Sequence, residues 1–396
     1  MLAAFTFNTA ENLPIGLLEL IAEGLRVSLP SVGYLVTGYG VTVAVASLPL
    51  AHFTRTMPRR HVLTALLTEL VVSSLVAALA GSYWLLLGAR LLTALAQALF
   101  WAVMGPVAVG LFRPGIRGRV IGALSVAGSL ALVLGVPVGT WLGRQSGWPV
   151  PVAGVAALGF VSLVTIAVLL PTSRPEEGHA AYGTRPDARR FGTVLAAGTL
   201  SATGAFAGYT YVVKFLGDVS GFSGGAVTAL LVAFGIACLA GVTLTGALLD
   251  RFPDSVLATS VATQAVGMLG LYAAGGDPVA AVVFLALTGA ALGPVFMATQ
   301  NEMLHCAPGR TDMALAANSG AYNAGIAAGA ALGGLVLSLS DVRGTFLLGG
   351  LLGVAGCAVL LGERLVPGGG AEKSGPRAGH PGLSRARDGR ASRTDA

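Results

Sequence analysis

Charge is what this sequence has least of. Asp, Glu, Lys and Arg make up 11% of its 396 residues, where a soluble globular domain carries about 25%. With 54% hydrophobic residues, an ordinary water-exposed surface is excluded. Cysteine is scarce too: Cys238, Cys306 and Cys357 lie far apart with no CxxC spacing, and the five histidines are scattered over loops and segment ends. That pattern argues against a disulfide framework and against a zinc site. The sequence has no GxxxxGK[ST] loop for ATP, no HExxH helix, no paired intramembrane carboxylates and no Cys/His nucleophile arrangement, so neither an ATPase nor an enzyme is expected. Lysine is nearly missing. Arginine outnumbers it 22 to 2, which together with abundant alanine and glycine points to a GC-rich bacterial genome.

What the sequence has instead is long apolar runs. A hydrocarbon core about 30 Å thick needs about 20 apolar residues per helical span. Twelve such stretches are expected, near residues 2–22, 32–53, 62–80, 84–111, 120–142, 150–170, 192–216, 225–249, 255–274, 278–301, 313–338 and 345–362. A membrane β-barrel would show alternating segments of about ten residues, and none is present. The expected fold class is therefore all-α integral membrane, with twelve transmembrane helices. No signal peptide precedes the first span. Leu2 is expected to lie in the membrane already, so either the leader is very short or the start codon is misassigned.

The formal charge of +6 does not call for a nucleic-acid partner, because of where the cations fall. With the N-terminus placed in the cytoplasm, inner loops and tail hold 19 of the 24 Lys and Arg residues, and outer loops hold three, Arg26, Arg144 and Arg343. This is the positive-inside asymmetry. It places both termini in the cytoplasm and, with the composition, the protein in a bacterial cell membrane, in contact with the lipid bilayer; a monomer is expected.

The polar stretch 171–191 splits the spans six and six. Three correspondences link the halves: MGPV at 104–107 with LGPV at 292–295, 188 apart; Gly135, Gly139 and Gly143 with Gly325, Gly329 and Gly333, 190 apart; and Pro58 with Pro253, 195 apart, inside related loops. An even number of spans per half leaves both in one orientation, a parallel repeat about an axis along the membrane normal. The expected organisation is a six-helix bundle over 1–170, a cytoplasmic linker over 171–191, a second six-helix bundle over 192–365, and a disordered basic tail over 366–396.

The stretch GSLALVLGVPVGTWLG, 128–143, carries Gly128, Gly135, Gly139 and Gly143 plus Pro137. On a helix at 100° per residue the four glycines fall within an arc of about 80°. Small residues so spaced let a neighbouring helix approach closely in lipid, and Pro137 removes one backbone bond and bends the span.

Five ionisable residues fall inside spans: Glu11, Glu19, Glu69, Arg90 and Lys214. Such groups are costly in hydrocarbon, about 2.5–3.5 kcal/mol on insertion scales, and are functional candidates by default. Glu11 lies mid-span with Asn8 and Asn12 beside it and Pro14 just beyond; it reads either as a proton carrier or as a structural acid satisfied by neighbours. Arg90 is its natural partner, because a guanidinium stays charged at any accessible pH; the alternative is an arginine that bridges helices through backbone carbonyls. Lys214 is expected to snorkel to the interface, Glu19 to be solvated near the outer end, and Glu69 to be either a packing contact or an inward-turned acid.

The whole set resembles the major facilitator superfamily, and within it the drug:proton antiporter branch that includes sugar-efflux and chloramphenicol-resistance exporters. The resemblance covers about residues 1–365 and is carried by GARLLTALAQALFW (88–101), similar to the fourth-helix arginine motif, LGVPVGTWLG (134–143), similar to the fifth-helix exporter motif, and the two loop motifs. The first-half loop departs from the family pattern G-x-L-x-D-R-x-G-R-R: Arg55, Thr56 and Pro58 replace the aspartate, arginine and glycine, while Arg59 and Arg60 keep the basic pair. The second copy retains Gly246, Asp250 and Arg251.

The resemblance implies that spans one, four, seven and ten line a central cavity, which places Glu11 there, and that Arg90 acts in coupling. It also implies that the glycine span seals the outward end of an exporter. Cavity candidates are Asn8, Asn12, Gln97 and Trp101, Phe206, Tyr209 and Tyr211, Phe296, Gln300 and Asn301, and Asn318, Tyr322 and Asn323. Their aromatics and uncharged amides suit a neutral or weakly polar ligand, although intramembrane Asn and Gln also bond simply between helices and the tyrosines also fit an aromatic belt. The resulting expectation is a secondary active transporter that exports a small molecule, an amphenicol-like drug or a sugar, in exchange for protons by alternating access. It would have no cofactor beyond the proton gradient. A facilitator or importer of a small neutral solute is the alternative, and a membrane enzyme or sensor the remote one.

Overall fold

The computed structural model of the protein describes residues 1–54, 56–110, 117–171, 186–249, 252–307 and 311–365. Every regular element among them is helical. The first half contains α1 (Leu2–Gly16), α2 (Leu18–Leu25), α3 (Leu29–Thr54), α4 (Arg59–Ala78), α5 (Tyr83–Gly110), α6 (Arg117–Leu130), α7 (Val136–Ser146) and α8 (Pro149–Leu169). The second contains α9 (Ala188–Tyr209), α10 (Val212–Asp218), α11 (Gly224–Leu248), α12 (Pro253–Ala274), α13 (Pro278–Cys306), α14 (Thr311–Leu339) and α15 (Arg343–Leu365). Helix starts follow local chemistry. Pro149, Pro253 and Pro278 occupy first-turn positions, where a missing N–H costs nothing. Asp187 and Asp277 accept from the Arg190 and Ala280 amides, at 2.9 and 2.8 Å, as N-cap residues do.

Eleven described helices are long and apolar enough to cross a membrane. The twelfth span is broken: α1 and α2, of 15 and 8 residues, meet end to end at Leu17. Neither crosses alone, and together they do. The break follows Pro14, which cannot donate to the carbonyl four residues back, and Gly16. Span seven has its own break at Thr210–Tyr211, between α9 and α10. Matched interruptions in the two halves of a repeat are a pointer to a transport pathway.

The packing repeats as the sequence does. In the first half α4 packs on α8 and α5, α3 on α5, and α1 on α8 and on α6–α7; in the second, α12 packs on α15 and α13, α11 on α13, and α9 on α15 and α14. Each of these contacts in one six-helix bundle has its counterpart in the other. Two seams join the bundles, α3 along α14 and α11 against α6–α7. Glycine makes both seams tight. A Cβ on Gly40 of α3 would sit 2.7 Å from the Asn323 carbonyl, and one on Gly235 of α11 would sit 2.5 Å from the Leu132 carbonyl; these two glycines hold equivalent places in the halves. Large apolar side chains such as Phe53, Leu79, Trp84 and Val168 are exposed around the outside, far more than a water-soluble surface tolerates.

The glycine groove is a contact surface in both halves. In place of Gly135, Gly139 and Gly143 a Cβ would meet the side chains of Thr9, Leu13 and Leu17; in place of Gly325, Gly329 and Gly333 it would meet the backbone at Thr199, Thr203 and Ala207. Span five thus packs on span one, and span eleven on span seven. Pro137 does more than bend its helix. Ala131–Gly135 forms a π-turn between α6 and α7, with the Val136 amide donating to the Ala131 carbonyl. Proline at 137 offers no donor for the Val133 carbonyl, and the ladder widens by one residue just before it, a device found at functional sites.

Candidate functional site

The four residues around Pro14 decide the centre of the first bundle. With no N–H at 14, the Ala10 carbonyl has no donor from its own helix. Arg90 of α5 supplies one: its guanidinium donates to the Ala10 carbonyl and, at 3.0 Å, to that of Glu11. The immediate partners of Arg90 are therefore backbone oxygens of α1, not the Glu11 carboxylate that the sequence suggested as its natural partner. The guanidinium also lies over the Tyr39 ring, 4.4 Å from its centroid, a cation–π contact. Arg90 is 6% exposed, so this guanidinium is one of the few charges held inside the bundle.

The Glu11 carboxylate takes a different donor. Gln97, two turns along α5 from Arg90, donates from Nε2 to Glu11 Oε2 at 2.9 Å. Its own Oε1 has no partner, nor does the Tyr39 hydroxyl. Asn12 donates to the Asn8 carbonyl at 3.0 Å, and Asn8 faces Gly128. Glu11, Gln97, Arg90 and Tyr39 thus form one polar knot across α1, α5 and α3. Tyr322 of α14, in the other bundle, lies within electrostatic reach of Glu11.

The remaining candidates divide. Phe296 and Tyr322 meet edge to face at 4.9 Å, and Trp101 meets Phe100 in the same way at 5.3 Å. Asn318 donates to Thr299 at 3.2 Å, tying α14 to α13. Gln300 and Asn323 each keep a buried amide oxygen without a partner, and Asn301 is half-buried. Three amide oxygens, on Gln97, Gln300 and Asn323, are therefore buried acceptors with no donor among the described residues, and buried unpaired acceptors in a native protein call for an explanation. Tyr209 stacks on Phe234 at 4.8 Å, with Phe206 on its other side at 5.8 Å, in the interior of the second bundle. Tyr211 donates to the Ala330 carbonyl at 3.2 Å and packs on Gly33 and Gly334, so it joins the halves near the α2–α3 turn. Lys214 pairs with Asp218 one turn on, and Glu19 lies within electrostatic reach of that pair and of Arg144.

At the other end, Arg60 donates to the Ala167 carbonyl at the end of α8, and Arg59 is half-buried at the start of α4. Gly246 is exposed on α11; Asp250 and Arg251, like Arg55 and the 366–396 tail, lie outside the described residues. Two groups were not picked out from sequence. Tyr39 looks like any aromatic in an apolar run. Glu302 forms an ion pair with Arg190 at 3.1 Å, and Arg190 also binds Glu363 at 2.8 Å, clamping together the start of α9 and the ends of α13 and α15; the expected end of span ten at residue 301 had placed Glu302 in a loop.

The sequence model of the Major Facilitator Superfamily matches residues 1–229 and, again, 191–390. A chloramphenicol efflux pump of Mycobacterium tuberculosis (strain CDC 1551 / Oshkosh) is 34% identical over 368 residues, which cover 89% of this chain and 88% of that protein. Among solved structures, the human organic anion transporter MFSD10 (TETRAN) superposes with a TM-score of 0.69 over 91% of this chain and 97% of its own, at 17% identity, a likeness of fold alone. This is a multi-pass membrane transporter and not an enzyme, and the doubled six-helix packing is accounted for by ancestry as well as by symmetry: the chain belongs to the Major Facilitator Superfamily.

Proposed function

We propose that this transporter exports a small, neutral, hydrogen-bonding molecule in exchange for protons, with amphenicol drugs as its first substrate class. The observation that carries the reading is the Glu11 carboxylate, deep in the membrane, held by an uncharged amide 2.9 Å away beside a guanidinium that is committed to backbone. No ion pair ties this carboxylate, on which Arg90 acts only through space, so it is able to exchange its proton. When Glu11 takes a proton its bond from Gln97 weakens, because the acceptor loses its charge. The Gln97 amide is then released to a ligand, and proton and substrate compete through one residue. The neutral amides and aromatics opposite suit an amphenicol, which carries hydroxyl and amide donors, and the name of the efflux relative supports the same class.

Energy would come from the proton gradient with no cofactor, since the sequence holds no P-loop. The protein works as a monomer in a bacterial cell membrane, both termini cytoplasmic, by rocking its two bundles about their seams. The test is expression in an efflux-deficient bacterium against a drug and sugar panel, wild type beside Glu11→Gln. Chloramphenicol tolerance that collapses on dissipating the proton gradient, and is absent in Glu11→Gln, is expected. Proton-driven efflux that survives Glu11→Gln would refute the coupling role, and efflux of sugars but not amphenicols would reassign the substrate.

A further inference from the structure

Glu69 stands outside the Glu11 knot. It lies ten residues into α4, about 15 Å from the start of that helix at 1.5 Å per residue, so it is at mid-membrane depth. Both of its carboxyl oxygens are buried without a full hydrogen bond, the Ser73 hydroxyl one turn on is a donor close to them, and Glu69 forms no ion pair among the described residues. A side groove between α4 and α5 runs beside it, with His61, Thr64, Thr68, Val72 and Leu92 in its lining. Val72 and Leu92 are about half exposed on the lipid-facing side of the bundle. The spacing 61, 64, 68 puts a histidine and two hydroxyls on one face of α4, from the Arg59–Arg60 end down to the carboxyl. Thr64 and Thr68 hand their protons to carbonyls one turn back, at 2.9 and 2.8 Å, which leaves their oxygens free to accept.

Beyond Glu69 the polar track crosses helices. Ser73 and Thr93 share a hydrogen bond of 2.8 Å between α4 and α5, and Thr93 is one turn from Arg90. The ionisable surroundings are few. His61 lies on the same helix and Arg90 on α5. Tyr39 on α3 is within electrostatic reach of Glu69, Glu11 and Arg90 alike, and α8 carries no ionisable residue. A carboxyl in hydrocarbon with no cation beside it and a single hydroxyl near it is stable as the acid, and this one borders a line of hydroxyls that runs toward the start of α4.

We propose that Glu69 is a second proton-binding site, separate from Glu11, exchanging its proton with the cytoplasm along the His61–Thr64–Thr68 face of α4. In the exchange a proton carried by water adds to a carboxylate oxygen, and release breaks the same O–H bond and returns the proton to water in the groove. The inference rests on the inward placement of the α4 start proposed above, but not on the substrate or on Glu11 as the coupling group.

Dicyclohexylcarbodiimide tests it. This apolar reagent enters from the bilayer and reacts with carboxylic acids: the acid proton moves to a carbodiimide nitrogen, the carboxyl oxygen bonds the central carbon, and the adduct rearranges to a stable N-acylurea. In proteoliposomes of the full chain, peptide mass spectrometry should find the adduct on Glu69, with labelling falling several-fold between about pH 6 and about pH 9. With the two sides held at different pH, labelling should follow the side on which α4 begins, and Thr64→Val with Thr68→Val should slow that response. Glu11→Gln should leave it unchanged. Absence of the Glu69 adduct at low pH, labelling indifferent to pH, or labelling that follows the opposite side would overturn the proposal. Because the reading is taken on the wild-type chain, a Glu69 variant that fails to fold does not blunt it, and loss of the Glu11 coupling role in transport would leave these results standing.

Discussion

If Arg90 is held by the carbonyl that Pro14 orphans, then the two residues are energetically coupled and the coupling can be measured. In the native chain Arg90 donates to the carbonyls of Ala10 and Glu11. Truncating it to methionine leaves both without that donor, and an unsatisfied buried acceptor costs about 1–3 kcal/mol. Pro14→Ala restores an N–H that can close the ordinary helical bond to Ala10, so in that background the truncation orphans one acceptor fewer. The cation–π contact with Tyr39 and the desolvation of the guanidinium are the same in both backgrounds, and cancel in the cycle. The expected interaction energy is therefore about 1–3 kcal/mol, with Arg90→Met milder when alanine is at 14. The assay is thermal unfolding of the purified protein in detergent for wild type, both single variants and the double. Equal falls in melting temperature for Arg90→Met in the two backgrounds would show that Pro14 does not set the arginine's task.

Three further outcomes follow from the glycine grooves and the Arg190 clamp. Gly329→Ala should impair folding and transport more than Gly139→Ala, because a Cβ at 329 meets the Thr203 backbone whereas one at 139 meets the tip of Leu13; overpacking costs about 1–3 kcal/mol, and equal transport by the two variants in vesicles would count against the rigid seam. Gly139→Leu, too large for a leucine tip to yield to, should abolish transport. Arg190→Ala should destabilise by about 3–5 kcal/mol, the cost of breaking a largely buried pair from one side, since it strands Glu302 and Glu363 together. Adding Glu302→Gln should recover part of the loss in the same melting assay, and no recovery would mean that the clamp acts through packing alone.

The spans were legible because bilayer thickness is a strict ruler. Residues 84–111 become Tyr83–Gly110 and 225–249 become Gly224–Leu248. Where a polar residue caps a helix beyond the hydrocarbon the ruler fails, so span ten runs on to Cys306 and carries Glu302 inward to Arg190. The break at Leu17 was signalled by Pro14, whereas the one at Thr210–Tyr211 was illegible, because no proline or charged residue marks it. The partners of Arg90 were hidden because sequence does not say which helix faces which. The signal was nevertheless present, since the carbonyl four residues before Pro14 had to find a donor elsewhere. The π-turn before Pro137 followed from the same missing N–H, one residue of widening that helical periodicity does not anticipate.

The scaffold is symmetric and its chemistry is not. The main contacts among α1, α3–α8 and the π-turn are repeated among α9 and α11–α15, yet among the described residues the carboxyl and guanidinium groups at mid-depth, Glu11, Glu69 and Arg90, all belong to the first bundle. In the second, Lys214 pairs at one end and Glu302 at the other, and what stands near the midplane is aromatic or amide: Phe296, Gln300, Asn318 and Tyr322. Duplication gave both halves the same broken span and the same glycine groove; divergence kept charge in one. If Glu11 changes charge as proposed, the group of the other bundle placed to feel it is Tyr322 across the interface. Because the bundles meet along glycine seams backed by main chain, they have little room to deform locally, and under that proposal the response would be a movement of one bundle against the other.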